Sequence, residues 1–212
     1  MANKEHFPPL MTSIAAAQTS ALNRWRLENP DILPDLGGVD LSEASLRYAN
    51  FSDGNLSDAR LDGANLFHAN LRRANLNRAT LRNVDLREAD LSSAKLADAD
   101  LSLGSLQDAL LRDADLRGAD LTCADMRRAD LSRADLRYAD LTGTDLTGAS
   151  LKDAKLTGAR IGSKALNQSE GWIDGSLSRL ERAALRLIKG KKVQGVRGPG
   201  ARSTSPRMAK FS

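Results

Sequence analysis

Large apolar residues recur at every fifth position from Leu36 to Ile161, without insertion, which gives about 26 repeats. Two positions before each of these centres stands Ala in most repeats, with Gly54, Val84, Gly104 and Thr144 among the exceptions. One position before is usually Asp, Asn or Ser, and the two positions after are variable and polar. Neither regular element has this period. A helix advances about 500° over five residues, so its apolar positions would spiral around the whole surface. Strand alternation has a period of two, and five is odd. The pattern therefore predicts a chain that turns once per repeat, each repeat forming one short side of a coil. Asp and Asn suit tight turns because they tolerate unusual backbone angles and bond locally. Small Ala suits places where backbone crowds the interior. Such a rod exposes unpaired strand edges at both ends and needs caps there.

The flanking segments supply candidates for those caps. Residues 12–28 read as a helix, capped by Thr12 or Ser13 and ended by Asn29-Pro30, with Ile14, Ala17, Ala21 and Trp25 on one face. Its expected role is to plug the first coil with Trp25; docking to a partner is the alternative. After Ile161 the five-residue phase decays. A second helix is predicted within 164–189: Ser178 and Glu181 have capping-box spacing, and Gly190 is a stop. Its apolar stripe of Leu177, Leu180, Ala184, Leu187 and Ile188 either covers the last coil or pairs with a second copy in a homodimer. The predicted organisation is a capping segment over 1–35, the repeat body over 36–163, the C-terminal helix over 164–189 and a disordered basic tail over 190–212.

Charge sharpens this division. The net charge is +4, but residues 36–161 carry 17 basic and 20 acidic side chains, whereas residues 162–212 carry 11 basic and three acidic. The body is nearly neutral and the positive excess lies in the tail, where Lys189, Lys191, Lys192, Arg197, Arg202, Arg207 and Lys210 stand without an acid. Weak attraction of the tail to nucleic acid or an anionic membrane is one expectation; a soluble tail without a role is the other. The single cysteine, Cys123, excludes an intrachain disulfide and fits a reducing, cytoplasmic setting. No apolar run approaches the length of a transmembrane helix.

Units such as "ADLRG" and "ADLSR", repeated in phase through most of the chain, resemble the A-(D/N)-L-x-x unit of the pentapeptide-repeat family. The resemblance implies an all-β solenoid: a right-handed quadrilateral β-helix with four repeats per coil, joined here to short α-helices at both ends. Residues 20 apart would then stack at the strand spacing of about 4.8 Å. "NRWRLENPDILPDL" is also similar to a lead-in sequence that precedes the repeats in some members. Some members that act on DNA gyrase dimerise through a C-terminal helix and mimic the DNA duplex as acidic rods. Others are effectors delivered into another cell.

Chemistry is sparse. His6, His68 and Cys123 give no metal-ligand spacing. The centres before His68 and Cys123 fall on different sides and almost three coils apart, so a Cys–His nucleophile is not expected. The series Asp115, Asp120, Asp125, Asp130, Asp135, Asp140 and Asp145 lacks the glycine-rich nonapeptides of calcium-binding β-rolls, and Arg117, Arg127, Arg128, Arg133 and Arg137 stand nearby as partners. With no phosphate loop either, the expectation is a non-enzymatic scaffold without cofactor or metal.

Sorting outward residues by 20 singles out two sides. The side centred on Leu46, Leu66 and Leu86 gathers Arg47, Tyr48, Phe67, His68 and Arg87, residue types typical of interface anchors. The side centred on Leu41 and Leu61 is the most acidic, with Asp62, Asp100, Asp120 and Asp140 as candidates for a duplex-like field, against Arg60, Arg82 and Arg160. Leu103 and Leu110 are expected to point outward as smaller apolar contacts. The functional expectation is capture of a protein partner through the aromatic side; modulation of a topoisomerase by DNA mimicry, or an effector or anionic-surface role, are the alternatives.

Overall fold

The computed structural model describes residues 19–162. Helix α1 spans Thr19–Glu28, and the rest is a stack of coils. Parallel bridges join each residue preceding a centre to its counterpart 20 positions on, from Asp35↔Asn55 through Asp135↔Lys155. The last of these contacts lengthen into the paired strands β1 (Asp140–Leu141) and β2 (Arg160–Ile161), in register Asp140↔Arg160 and Leu141↔Ile161. A 20-residue register over five-residue repeats sets four repeats to a coil. The predicted C-terminal helix, with Leu177, Leu180, Ala184, Leu187 and Ile188, and the basic tail lie outside the described residues, as does the first part of the predicted N-terminal helix.

Each repeat satisfies its backbone in the same way. The centre donates to the carbonyl one coil on (Leu36 N to Asn55 O, 2.7 Å). The preceding residue donates back (Asn55 N to Pro34 O, 2.7 Å), and the second residue after the centre donates forward (Gly38 N to Ser57 O, 2.8 Å). A tight-turn bond then closes from the third residue after the centre to the centre itself (Val39 N to Leu36 O, 3.2 Å). That turn requires positive φ two positions after the centre. Besides glycines, 19 residues there hold φ between 54° and 64°, a conformation that costs an L-residue roughly 1–2 kcal/mol. The expectation that Asp and Asn form the corners themselves is thus corrected by one step. Their backbone lies in the coil-to-coil bridge, and their side chains accept the N–H inside the turn that follows, as Asp120 does from Thr122 N at 2.8 Å. Where Thr80 or Lys95 replaces the acid or amide, the residue one coil back accepts instead: Asp62 from Arg82 N and Asn77 from Ala97 N.

The interior is the predicted ladder of Leu lined by Ala, with Phe51 fully buried among them. Each buried Leu contributes roughly 1.5–3 kcal/mol before ordering costs. The departures from Ala have volume reasons. A side chain at Gly54 would meet the Phe51 carbonyl at 3.0 Å and the Pro34 carbonyl at 3.2 Å. A methyl at Gly104 would lie 3.3 Å from Val84, which stacks one coil below, and 3.2 Å from Leu106. Thr144 is buried and donates its hydroxyl to the Leu121 carbonyl at 2.7 Å.

The plug of the first coil differs from the sequence reading by three residues, nearly one helical turn. Leu22 is the fully buried residue of α1, and Trp25 packs beside it half-buried. Two polar clamps set this rotation. Asn23 donates to the Tyr48 carbonyl (2.9 Å) and accepts from Asn50 N (2.8 Å). Arg26 donates to the carbonyls of Ile32 (2.8 Å) and Ser52 (3.2 Å). The helix ends as expected, with Asn29 bonded back to the Trp25 carbonyl.

The Val84–Gly104 compensation predicts non-additivity. Gly104→Ala should destabilise the native chain by overpacking. In a Val84→Ala background the same change should cost less, because the contact with Val84 is gone while those with Leu106 and the Leu101 carbonyl remain. Denaturant midpoints of the four proteins should give a coupling of roughly 1 kcal/mol; additive effects would refute the contact.

Candidate functional site

The five residues singled out on the side centred on Leu46, Leu66 and Leu86 come together as one cluster. Backbone bonds from Tyr48 N to Phe67 O (2.9 Å) and from His68 N to Arg87 O (3.0 Å) hold its three tiers in register. The His68 ring stacks on Tyr48, with centroids 5.4 Å apart and planes 16° apart. Phe67 meets both edge-on, at 5.8 Å from Tyr48 and 4.7 Å from His68. The guanidinium of Arg47 lies 4.7 Å from the Phe67 centroid and 5.7 Å from Tyr48; that of Arg87 lies 5.7 Å from Phe67. Tyr48 is 55% exposed, although its carbonyl anchors α1. The site therefore adjoins the N-terminal cap and is built on a locked backbone.

Two participants were not singled out from the sequence. Glu88 binds His68 (Nε2 to Oε2, 2.7 Å). It occupies the position 20 after His68, so the stacking rule contained the signal. Asn23 ties the cap to Tyr48, and no repeat-based rule reaches a helix that docks once.

The acidic candidates do not form an equivalent cluster. Asp100, Asp120 and Asp140 share one column, bridged coil to coil, while Asp62 stands in the neighbouring column, where it accepts from Thr80 Oγ1 and Arg82 N. Asp100 is paired with Arg82 at 2.5 Å, and Asp140 with Arg160 at 2.9 Å. This is one instance of a general pattern. Among the described residues, thirteen arginine–carboxylate pairs cover the rod. They interleave the two signs along the rod. Of the five arginines named as partners for the Asp series, Arg117, Arg127 and Arg137 bind members of it two positions earlier, whereas Arg128 and Arg133 bind Asp108 and Asp113, which lie outside it, one coil back.

Other surface features are modest. Leu103 and Leu110 are exposed as expected, on different sides of the rod, and Cys123 is exposed. A hollow of about 300 Å³ is lined by Ala97, Asp98, Arg117, Gly118, Arg137 and Tyr138, with Asp98 its single carboxylate. Among the described residues no group of His, Cys, Asp or Glu is placed to hold a metal ion, and no helix is long and apolar enough to cross a membrane.

The family model described as pentapeptide repeats (8 copies) matches residues 34–63, 64–102, 105–137 and 124–161. The chain belongs to the pentapeptide-repeat family. Among solved structures it is similar to HetL, a pentapeptide repeat protein involved in heterocyst differentiation regulation from the cyanobacterium Nostoc sp. strain PCC 7120, with 31% identity over 63% of this chain and 81% of that one (TM-score 0.33). It is also similar to a trypsin-treated variant of QnrB1, a plasmid-mediated fluoroquinolone resistance protein, with 20% identity over 76% and 87% (TM-score 0.49). Rfr23, from the cyanobacterium Cyanothece 51142, is 25% identical over 68% and 97% (TM-score 0.33). No curated protein matches the chain.

The ion pairs set a pH dependence. Hydrogen bonds from Arg73, Arg87, Arg117 and Arg137 hold Asp53, Asp85, Asp115 and Asp135 below their ordinary value of 3.8. The unfolded chain therefore binds more protons in acid, and stability rises with pH through this range. Thermal midpoints should be flat above about pH 5 and fall as the pH drops through 4 and below. The fall should shrink in Arg117→Gln/Arg137→Gln; an unchanged acid limb in that variant would remove these pairs as its cause.

Proposed function

We propose that this protein is a non-enzymatic scaffold, a right-handed four-sided β-helix, that captures a protein partner through Arg47, Tyr48, Phe67, His68 and Arg87. The observation that carries this reading is the cluster itself. In a chain with only 4% aromatic residues, two aromatic rings and a histidine meet at one outward site with two guanidinium groups against them. Such residues dominate binding energy where they become buried between partners, and their fixed backbone lowers the cost of ordering. The reading places the protein in the cytoplasm. The C-terminal helix, as lid or homodimer contact, and the basic tail, as a contact to an anionic surface, would extend it.

The experiment is affinity capture from the source cell with the full chain as bait. Tyr48→Ala/Phe67→Ala should lose partner recovery by at least about tenfold, the loss of one strong anchor, while the variant's circular dichroism and thermal midpoint stay near those of the parent. Unchanged recovery would sink the site.

A second reading rests on the column Asp100, Asp120 and Asp140, where Asp120 stands between two acids and, among the described residues, forms no ion pair with an arginine. In this reading the acidic side mimics duplex phosphates toward DNA gyrase. Added protein should then inhibit or protect gyrase supercoiling, and Asp120→Asn should weaken the effect. No change in supercoiling at high micromolar protein would dismiss it.

A further inference from the structure

Arginines at the first position after a centre follow a simple pairing rule. Arg87, Arg117, Arg127 and Arg137 each bind the Asp two positions earlier. Arg72, Arg82 and Arg112, which lack an Asp there, bind the Asp 18 positions later, on the next coil. Arg47 is the eighth arginine of this kind, and both places fail it. Two positions earlier stands Ser45, and 18 positions later stands Asn65. Among the described residues no carboxylate forms an ion pair with it. Its guanidinium instead lies against the rings of Phe67 and Tyr48.

That posture has a chemical meaning. Among the described residues its N–H donors make no hydrogen bond, which leaves them for a carboxylate, whose geometry the guanidinium fork matches. The neighbouring polar groups are already committed: Arg87 is bidentate to Asp85, with both bonds at 2.8 Å, and His68 is bound to Glu88. The cluster thus offers one guanidinium that, among the described residues, has no ion-pair partner, beside aromatic rings and bordered by two carboxylates. A singly charged anion fits this arrangement. A phosphate dianion would face Asp85 and Glu88 with a single arginine to oppose them, where recognition of phosphate usually draws on several.

We infer that Arg47 is a specificity anchor that receives the carboxylate of an acidic segment of the partner, with Tyr48 and Phe67 packing on the aliphatic part of that side chain. This rests on the partner-capture reading above and names what the partner must present.

The test uses the full-length, isotopically labelled protein and a blocked glutamate-rich peptide as the probe, with lysine-rich and phosphoserine-containing counterparts. The expected result is a saturable shift of the Arg47 Nε–H and Tyr48 ring signals with the glutamate peptide alone. Arg47→Gln should weaken that binding by roughly tenfold or more, the loss of one charge-assisted pair, and Arg47→Lys should recover only part of it. A response confined to the basic tail, an equal response to the lysine peptide, or tighter binding of the phosphoserine peptide would each overturn the inference. Partner capture separates the two levels. If Arg47→Gln captures the partner as the parent does while Tyr48→Ala/Phe67→Ala does not, the carboxylate inference fails and the capture reading stands. If neither variant loses the partner, the capture reading itself fails.

Discussion

The bond from each centre's N–H to the carbonyl 19 positions on is the constraint from which the rest of this molecule follows. Leu36 to Asn55 and Leu46 to Asn65 are two of a long series at about the same length. Once that bond is made, every residue lies beside its counterpart 20 positions away. Core volume, surface charge and site composition then become questions about columns rather than about neighbours in sequence. A large Val84 demands a small Gly104; an Arg78 finds Asp58; a Phe67 lies beneath the cation of Arg47.

The same constraint explains how so many of the rod's charges come to be paired. Exposed ion pairs contribute little stability one by one, but here their geometry is repeated and several are bidentate. Their larger effect is on recognition. A surface whose arginines are already occupied by carboxylates presents few uncommitted charges, so an arginine left against aromatic rings stands out chemically even though the rod has many arginines.

Much of this was legible in the sequence, and the boundary is a physical one. The period of five decides which residues turn inward, and stacking by 20 assembles Arg47, Tyr48, Phe67, His68 and Arg87 on one side. The period alone carries no count of sides, because a chain that turns once per repeat closes equally well in pattern with any number; the family resemblance supplied the four. The position of the turn was off by one step because Asp can serve a turn either with its own backbone or by accepting the next N–H, and composition does not separate the two. The rotation of α1 was missed because Leu22 and Trp25 both lie on a plausible apolar face, and the choice was made by Asn23 and Arg26 bonding to a coil whose carbonyls no helical pattern describes.

The unbroken phase also sets the units in which this protein can change length. Removing one repeat preserves the register of Leu on Leu and Ala on Ala, so the core tolerates it, yet everything downstream rotates by one side. Loss of residues 50–54, for example, would bring Arg72 rather than Phe67 beside Arg47 and dissolve the aromatic site without touching any residue in it. Only removal or duplication of a whole coil of 20 leaves both interior and faces in place. The fold is thus indexed in fives and its surface in twenties, and insertions or deletions offer a way to rewrite binding while folding is spared.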